Sequence, residues 1–272
     1  MLLGQIPEID FSKDLRWLLV SALYALAIAE IAVQSANLVA NKKRSLGDTS
    51  AVAAHLILVT FVVTTSFVGW TLAVARDVHP EHHLVNIFSA PYLLLLVDVW
   101  LLVAYFIMAK RAGAPKKEDS ELDPSAAKGS FWLVMVFGGY FLWDIIAYWV
   151  MHGFAAFVVM IWPTAICLVM GIVAWRCLRL VTARAAMVAA NAGMVALVLF
   201  FRATKGIAGM YLSQRTDSDW SQIYWNVVVT LGGVEKLYWV MGGTLTLGVL
   251  FIAFLCVASL LDRRGQTHVG TC

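Results

Sequence analysis

Charged residues are scarce in this sequence. Only 14% of the 272 residues are Asp, Glu, Lys or Arg, whereas 61% are hydrophobic. Soluble domains average about 25% charged and about 45–50% apolar residues. A buried core alone cannot account for so large a shift, so the composition predicts an integral membrane protein.

The sequence also lacks paired cysteines and the short signatures that mark common active sites. Its four cysteines, Cys167, Cys177, Cys256 and Cys272, stand singly, which predicts neither a disulfide framework nor a zinc site. No nucleophile elbow, HExxH zinc motif or glycine-rich phosphate loop occurs. The N-terminal stretch has no basic start, so we expect no cleavable signal peptide.

Long apolar runs are what the sequence has instead. Seven of them reach the roughly 20 residues that a membrane-spanning helix needs, and none alternates like a strand. They predict an all-α polytopic membrane protein, with residues 1–272 forming a single domain, a seven-transmembrane-helix bundle. The predicted helices lie at about 17–40, 51–75, 87–109, 131–151, 154–175, 186–209 and 238–261.

The positions of the basic residues predict the orientation of the bundle. Thirteen of the 20 Lys and Arg follow helices 1, 3, 5 and 7, and the other seven lie near the opposite side. Basic loops stay in the cytoplasm, so we expect the N-terminus outside and the C-terminus inside. The loop 112–130 is then a flexible cytoplasmic connection. The aromatic segment 212–237 is then external and is expected to lie at the headgroup level, with an outward extension of helix 7 over residues 227–237 as the alternative.

An acidic residue lies well inside the fourth predicted helix. Asp144 has Tyr140 four residues before it and Tyr148 four residues after it, so the three side chains share one face. A carboxylate in hydrocarbon costs a few kcal/mol or more unless it finds a partner, water or a proton. The face that carries Asp144 is therefore expected to meet other polar groups.

Basic residues in the sixth predicted helix could provide those groups. Arg202 and Asp144 should lie at a similar depth, since each residue of a helix adds about 1.5 Å, and we expect these two to pair. Asp98 of helix 3 with Lys205 is a second, weaker pairing. Such pairs either line a watery interior or only fix the packing of the helices.

The first predicted helix carries a polar stripe. Glu30, Gln34, Asn37 and Asn41 recur at helical spacing on one side of its cytoplasmic half. Four polar residues on one face favour contact with water, although polar residues can also join helices to each other. The stripe is interpreted as part of a polar path.

Together these residues favour a channel or transporter for protons, small cations or a small polar solute. Two alternatives remain: a membrane-embedded enzyme that acts on a lipid, and a seven-helix sensor or accessory subunit of a membrane complex. The expected partners are membrane lipids and a homo-oligomer or another membrane subunit, with no nucleic acid. The residues predicted to line the path of helices 1, 3, 4 and 6, or to form buried ion pairs, are Glu30, Gln34, Asn37, Asp98, Tyr140, Asp144, Tyr148, Arg202 and Lys205.

Histidines are concentrated near the predicted outer side. His79, His82 and His83 lie in one short loop, and His152 ends helix 4 on the same side. Imidazoles are common zinc ligands, so the group is a candidate site for a divalent metal. Because imidazoles titrate near neutrality, a pH-sensitive role is an alternative.

Two fragments resemble parts of known families. Residues 89–98, with Pro91 before a leucine run and Asp98, resemble the third helix of microbial rhodopsins, which bind retinal on a lysine of helix 7. Helix 7 has no lysine here after its outer end, so retinal would need Lys205. Residues 139–144 resemble a piece of the ceramide-synthase-like TLC domain, which acts on or senses lipids, but the paired histidines of that domain are absent. Neither resemblance supports a family assignment.

Overall fold

The protein is helical throughout the residues that its computed structural model describes. These residues are 11–40, 45–75, 90–112, 125–150, 154–178, 181, 183–213 and 228–269. No strand occurs among them, and seven helices are long and apolar enough to cross a membrane. The predicted seven spans are confirmed at this level, and they indicate a multi-pass membrane protein.

The helices extend beyond the apolar runs by a few residues. A six-residue π-helix, Ile145–Val150, continues the fourth helix directly. The seven long helices are α1 Phe11–Ala40, α2 Leu46–Ala75, α3 Ala90–Ala112, α4 Ser125–Asp144, α5 Phe154–Leu178, α6 Arg184–Ser213 and α7 Val234–Val269. At about 1.5 Å per residue, each reaches the roughly 30 Å thickness of a hydrocarbon core.

The predicted loop 112–130 is shorter than expected. Ala112 belongs to α3, and α4 begins at Ser125. Alanine and lysine, which are strong helix formers, follow Ser125, and they favour helix where composition alone suggested a flexible connection. The remainder of this loop lies outside the described residues.

The predicted external segment 212–237 also overlaps helical structure. Residues 228–231 form a helical turn, and α7 starts at Val234. Gly232 and Gly233 separate them, with φ angles of 81° and 128° that residues with a Cβ rarely adopt. An unbroken outward extension of the seventh helix is therefore wrong. The aromatic stretch that precedes the turn lies outside the described residues.

α6 is the central helix of the described bundle. It packs against α2, α4, α5 and α7, whereas α1 packs against α2 and α3. Small residues allow the close approach of α7: a Cβ at Gly193 would lie 3.0 Å from Cβ of Phe254. Polar side chains on α6 form hydrogen bonds with α4 and α5 in the interior.

Polar contacts join three helix ends on one side of the bundle. Ser45 caps α2, since its Oγ accepts the backbone N–H of Asp48 at 3.1 Å and donates to the Asp48 carboxylate at 2.7 Å. The same carboxylate forms an ion pair of 2.6 Å with Arg184 at the start of α6. Asp262 of α7 accepts the N–H of Ala183 at 3.1 Å, just before α6. The starts of α2 and α6 and the end of α7 are thereby held together.

Large apolar side chains cover the outward faces of the helices. Such exposure would be costly in water, but it matches the hydrocarbon of a bilayer. The buried apolar residues come from all seven helices and mainly from α2, α3 and α6, so the centre of the core lies between these three helices. Examples of the outward side chains are Leu18, Trp100, Trp162, Trp239 and Leu245.

Candidate functional site

An acid and a base form an ion pair inside the bundle. Nζ of Lys205 on α6 lies 2.5 Å from Oδ1 of Asp144 at the end of α4. Thr164 of α5 donates its hydroxyl hydrogen to the other carboxylate oxygen. Asp144 is 1% exposed, and both of its oxygens are engaged. A buried charge is tolerated when it is paired and hydrogen-bonded in this way.

Irregular backbone on two helices positions this pair. Pro163 lies within α5, where it has no N–H to donate and disturbs the helical hydrogen bonds. The nearby carbonyl of Met160 accepts a hydrogen bond of 2.8 Å from Lys205. On α4, the π-helix starts directly after Asp144 and brings the ring of Tyr148 to 5.7 Å from the ammonium nitrogen. π-helical turns often occur at functional sites.

Three hydroxyl groups form a closed ring one helical turn away. The oxygens of Ser66, Tyr105 and Tyr140 lie 2.6 to 2.9 Å from each other. Tyr24 of α1 joins this hydroxyl ring through Ser66, at 2.9 Å. The ring thus connects α1, α2, α3 and α4 at a single level of the bundle.

The directions of the hydrogen bonds in the hydroxyl ring follow from the number of hydrogens. Tyr105 donates to Ser66, and each hydroxyl has one hydrogen and can accept two others. Because the Tyr105 hydrogen is used, Tyr140 donates to Tyr105 and Ser66 donates to Tyr140. The hydrogen of the remaining contact therefore comes from Tyr24, which donates to Ser66.

Arg202 of α6 extends the hydroxyl ring toward the ion pair. Its Nη2 donates to the Tyr140 hydroxyl at 2.6 Å. Its guanidinium carbon lies 5.1 Å from the centre of the Tyr140 ring and 5.4 Å from that of Phe201, distances suited to cation–π contact. Side chains from α1 to α6 therefore meet in one polar region, formed by the hydroxyl ring, Arg202 and the Asp144–Lys205 pair.

A second polar pair lies on α2 and α6, toward the ends of these helices opposite to the hydroxyl ring. His55 of α2 and Asn191 of α6 are 2% and 0% exposed. The His55 Nε2 lies 3.1 Å from the carbonyl oxygen of Met108, which can only accept, so Nε2 carries the hydrogen. The Asn191 amide donates to the carbonyl of Met187 at 2.9 Å. His55 Nδ1 and Asn191 Oδ1 are buried without a partner among the described residues.

An apolar layer separates the two polar levels. Ser66 follows His55 by eleven residues on α2, which is about 16 Å of helix. The side chains of this layer are buried and offer no hydrogen-bonding atom. They are Val59, Val62, Val63, Leu133, Val136, Phe137, Met194, Leu197 and Val198. The described bundle is therefore closed between its two polar levels.

The polar face of α4 meets polar side chains of α6, as expected from the sequence, but the predicted ion pairs are not the ones that form. Asp144 pairs with Lys205, not with Arg202, and Arg202 contacts Tyr140 instead. The second predicted pairing, Asp98 with Lys205, is therefore wrong as well. Asp98 is 7% exposed and lies within electrostatic range of Tyr24.

The polar stripe of α1 lies away from this polar region. Glu30 and Gln34 are half-buried and bond each other, with 2.6 Å between Gln34 Nε2 and Glu30 Oε1. Asn37 is exposed. The helix faces the core with Tyr24 and Ala27 instead. A role of the stripe in a polar path stays a prediction.

The predicted metal ligands cannot be placed. His79, His82, His83 and His152 lie outside the described residues. Among the residues that are described, no group of three or more His, Cys, Asp and Glu side chains could hold a metal ion.

Four site residues were not among those predicted from the sequence, namely Thr164, Tyr24, Ser66 and Tyr105. Thr164 lies beside a proline in an otherwise apolar helix, and Tyr24 is a single tyrosine in α1. None of the four carries a charge. For Thr164 the neighbouring proline was the available signal, since a proline inside a membrane helix loosens carbonyls that other groups can use.

Protein-family models, curated proteins and solved structures were compared with this chain, and none of them matches it.

Proposed function

We propose that this protein is a membrane transport protein, a transporter or gated channel, for protons or a small polar solute. The observation that carries the proposal is the polar region to which α1 to α6 contribute. Ionisable groups inside a membrane protein are costly to keep, and they commonly mark substrate or ion pathways. Here a carboxylate, an ammonium, a guanidinium and five hydroxyls share one interior region.

The closed apolar layer supports a gated mechanism. Solute that reaches the hydroxyl ring meets about 16 Å of packed apolar side chains before the next polar level. Passage requires this layer to open or to become hydrated, as in pores that gate by dewetting. In the proposal, the described bundle is the closed state, and Pro163 and the π-helix after Asp144 are the points at which the helices bend.

The charges of the region discriminate between the candidate solutes. The hydroxyls suit a proton, which moves along hydrogen bonds, and they suit a polar solute that replaces those bonds. Arg202 carries a positive charge beside them, and within the described part of the chain no ion pair neutralises it. A small cation, the third candidate from the sequence, is repelled by this charge as a proton is, but it cannot move along hydrogen bonds, and it is the least favoured.

The orientation and partners are part of the same proposal. We place the N-terminus outside and the C-terminus inside, because the basic residues follow the first, third, fifth and seventh helices. Lipids cover the apolar outer surface. A second copy or another membrane subunit is expected to cover Glu30 and Asn37, since polar groups facing lipid are unfavourable. No feature calls for nucleic acid.

Flux measurements in proteoliposomes test the proposed function. Proton flux is followed with an enclosed pH dye, and solute flux by isotope uptake. Substitutions Asp144→Asn and Tyr140→Phe should lower flux about tenfold or more, because each removes a polar group of the region. Tyr238→Phe is the matched control, since Tyr238 is 68% exposed on α7.

Two outcomes of the flux measurements decide whether transport passes through the polar region. Flux that falls in both interior variants and not in the Tyr238 variant supports transport through this region. Flux that is equal in all variants, or absent from the folded wild-type protein for protons and for a panel of amino acids, sugars and carboxylates, rejects the proposal.

A further inference from the structure

Arg202 is a charged side chain in the membrane without a counter-ion among the described residues. Asp144 forms no ion pair with it: Lys205 engages one oxygen of this carboxylate and Thr164 the other. No ion pair joins Arg202 to Asp98, the other buried acid of this half of the bundle. Charged groups inside membrane proteins normally pair with one another. The positive charge of this guanidinium is not neutralised by the described residues.

The guanidinium also has N–H groups that make no hydrogen bond to the described residues. Arginine carries five N–H groups in a planar fork, and one hydrogen bond, from Nη2 to Tyr140, is made to the described residues. Nε is buried and has no acceptor there. The Nε–H and a neighbouring Nη–H form the fork that binds the two oxygens of a carboxylate or phosphate.

The surroundings hold the guanidinium in place without neutralising it. The rings of Tyr140 and Phe201 lie beside it, and they attract a cation but carry no negative charge. On the α2 side, Nη1 lies against Gly69, where a Cβ would be only 3.2 Å away. Lys205, one turn further along α6, is neutralised by Asp144, so the charge of Arg202 is the one left without a counter-ion among the described residues.

We propose that Arg202 is the binding site for the oxyanion of a small solute, in the simplest case a carboxylate. The inference rests on the proposed transport function and names its substrate class. The carboxylate accepts the fork of Arg202 and hydrogen bonds from the hydroxyl ring, and it supplies the charge that the bundle lacks. An anionic lipid headgroup offers the same chemistry, so the source of the oxyanion is decided by experiment.

Binding is measured with acetate and with acetamide, which has nearly the same size and no charge. Thermal unfolding of the purified protein is followed by the fluorescence of its 11 tryptophans at constant ionic strength. Acetate should raise the unfolding midpoint in a saturable manner, by several degrees when it is in large excess over its Kd, and acetamide should not. Equal effects of acetate and acetamide overturn the inference.

Variants assign the effect to Arg202. Arg202→Gln should abolish the acetate response, and Arg202→Lys, which keeps the charge and loses the fork, should weaken the apparent affinity about tenfold or more. Arg184→Gln is the matched control, since Arg184 is a half-exposed partner of Asp48, and it should respond as the wild type does. An acetate response that persists in Arg202→Gln overturns the inference.

A less disruptive variant tests the site if Arg202→Gln does not fold. Gly69→Ala keeps the guanidinium and narrows the space beside Nη1, so its acetate response should be weaker. Gly206→Ala is its control, because a Cβ there meets nothing within 4 Å. Equal responses of the two variants and the wild type count against the site.

Experiments in nanodiscs distinguish a lipid oxyanion from a solute oxyanion. One nanodisc contains phosphatidylcholine alone, and in the other about a quarter of the lipid is phosphatidylglycerol. If phosphatidylglycerol raises the midpoint and removes the acetate response in an Arg202-dependent manner, the oxyanion is a lipid phosphate. If acetate acts in both nanodiscs, it is a solute. Acetate that binds through Arg202 but does not cross proteoliposomes supports the site and counts against transport of acetate, so the two proposals fail separately.

Discussion

Lys205 and Asp144 form a 2.5 Å ion pair between the last third of α6 and the end of α4. The pair is buried, with 14% of the lysine side chain and 1% of the aspartate side chain exposed. It joins two helices at the point where α4 becomes a π-helix. The geometry of the whole polar region depends on this connection, because Arg202 lies one turn before Lys205 and Tyr140 one turn before Asp144.

Breaking this ion pair should destabilise the protein strongly. Asp144→Asn or Lys205→Met alone leaves a buried charge without its partner, which costs about 3–5 kcal/mol. The double variant should lose clearly less than the sum of the two single losses. The free energies of unfolding come from denaturation in mixed micelles. The half-exposed pair Arg184–Asp48, whose two side chains are each 37% exposed, is the control, and its coupling should not exceed about 1 kcal/mol.

The hydroxyl of Thr164 should contribute to stability through the Asp144 carboxylate. Thr164→Val keeps the shape and removes a hydrogen bond to a charged group, which is worth about 1.5–3 kcal/mol. Thr246→Val is the matched control, because the exposed Thr246 bonds only the Gly242 carbonyl of its own helix. Equal losses of unfolding free energy in the two variants would contradict the described contact.

Removing one hydroxyl from the ring should leave its neighbours without partners. Tyr105→Phe should cost about 1–3 kcal/mol, because Ser66 and Tyr140 then each lose a buried hydrogen bond. Tyr238→Phe, at a position 68% exposed, should change the free energy of unfolding by less than about 0.5 kcal/mol. A Tyr105 variant as stable as the Tyr238 variant argues that the ring is not formed.

Thiol labelling tests the orientation. Cys177 is exposed near the end of α5, on the side that the basic residues assign to the cytoplasm. In a variant with Cys167, Cys256 and Cys272 replaced by alanine, a membrane-impermeant maleimide should label Cys177 from the cytoplasmic face only. Ser213→Cys in a cysteine-free background reports the opposite side, since α6 ends there. Labelling with the sides exchanged reverses the orientation.

The histidine prediction is tested by metal analysis. Purified protein exposed to zinc and then desalted should retain about one equivalent if His79, His82, His83 and His152 form a site. Replacing the three loop histidines by alanine should remove it. His55→Asn serves as control, since His55 is buried in the core and bonds the Met108 carbonyl. Zinc retained equally by all variants rejects a site at these histidines.

The spans and the polar face of α4 could be predicted because both follow from the period and length of helices. Tyr140 and Asp144 are one turn apart and both reach the interior. The pairing could not be predicted by the same means. Arg202 and Lys205 differ by three residues, or about 4.5 Å of helix, and their side chains are longer than that difference. Depth therefore could not decide which of them meets Asp144.

The stripe of α1 shows a second limit of sequence periodicity. A polar face can be read from the spacing of Glu30, Gln34 and Asn37, but the spacing does not tell which neighbour that face meets. Tyr24 and Ala27 face the core because α1 packs against α2 and α3 through small and aromatic residues. The π-helix after α4 could not be predicted from the sequence either, because its apolar sequence is indistinguishable from that of the α-helix before it.

The apolar layer between the two polar levels determines where the membrane potential acts. Apolar side chains polarise weakly, so most of the voltage across the protein falls over these roughly 16 Å rather than over the polar regions on either side. A unit charge that crosses the layer exchanges about 2.3 kcal/mol with the membrane for every 100 mV. An anion that moved from Arg202 across the layer would thus be driven or opposed by the membrane potential, whereas the same anion accompanied by one proton would cross without electrical work.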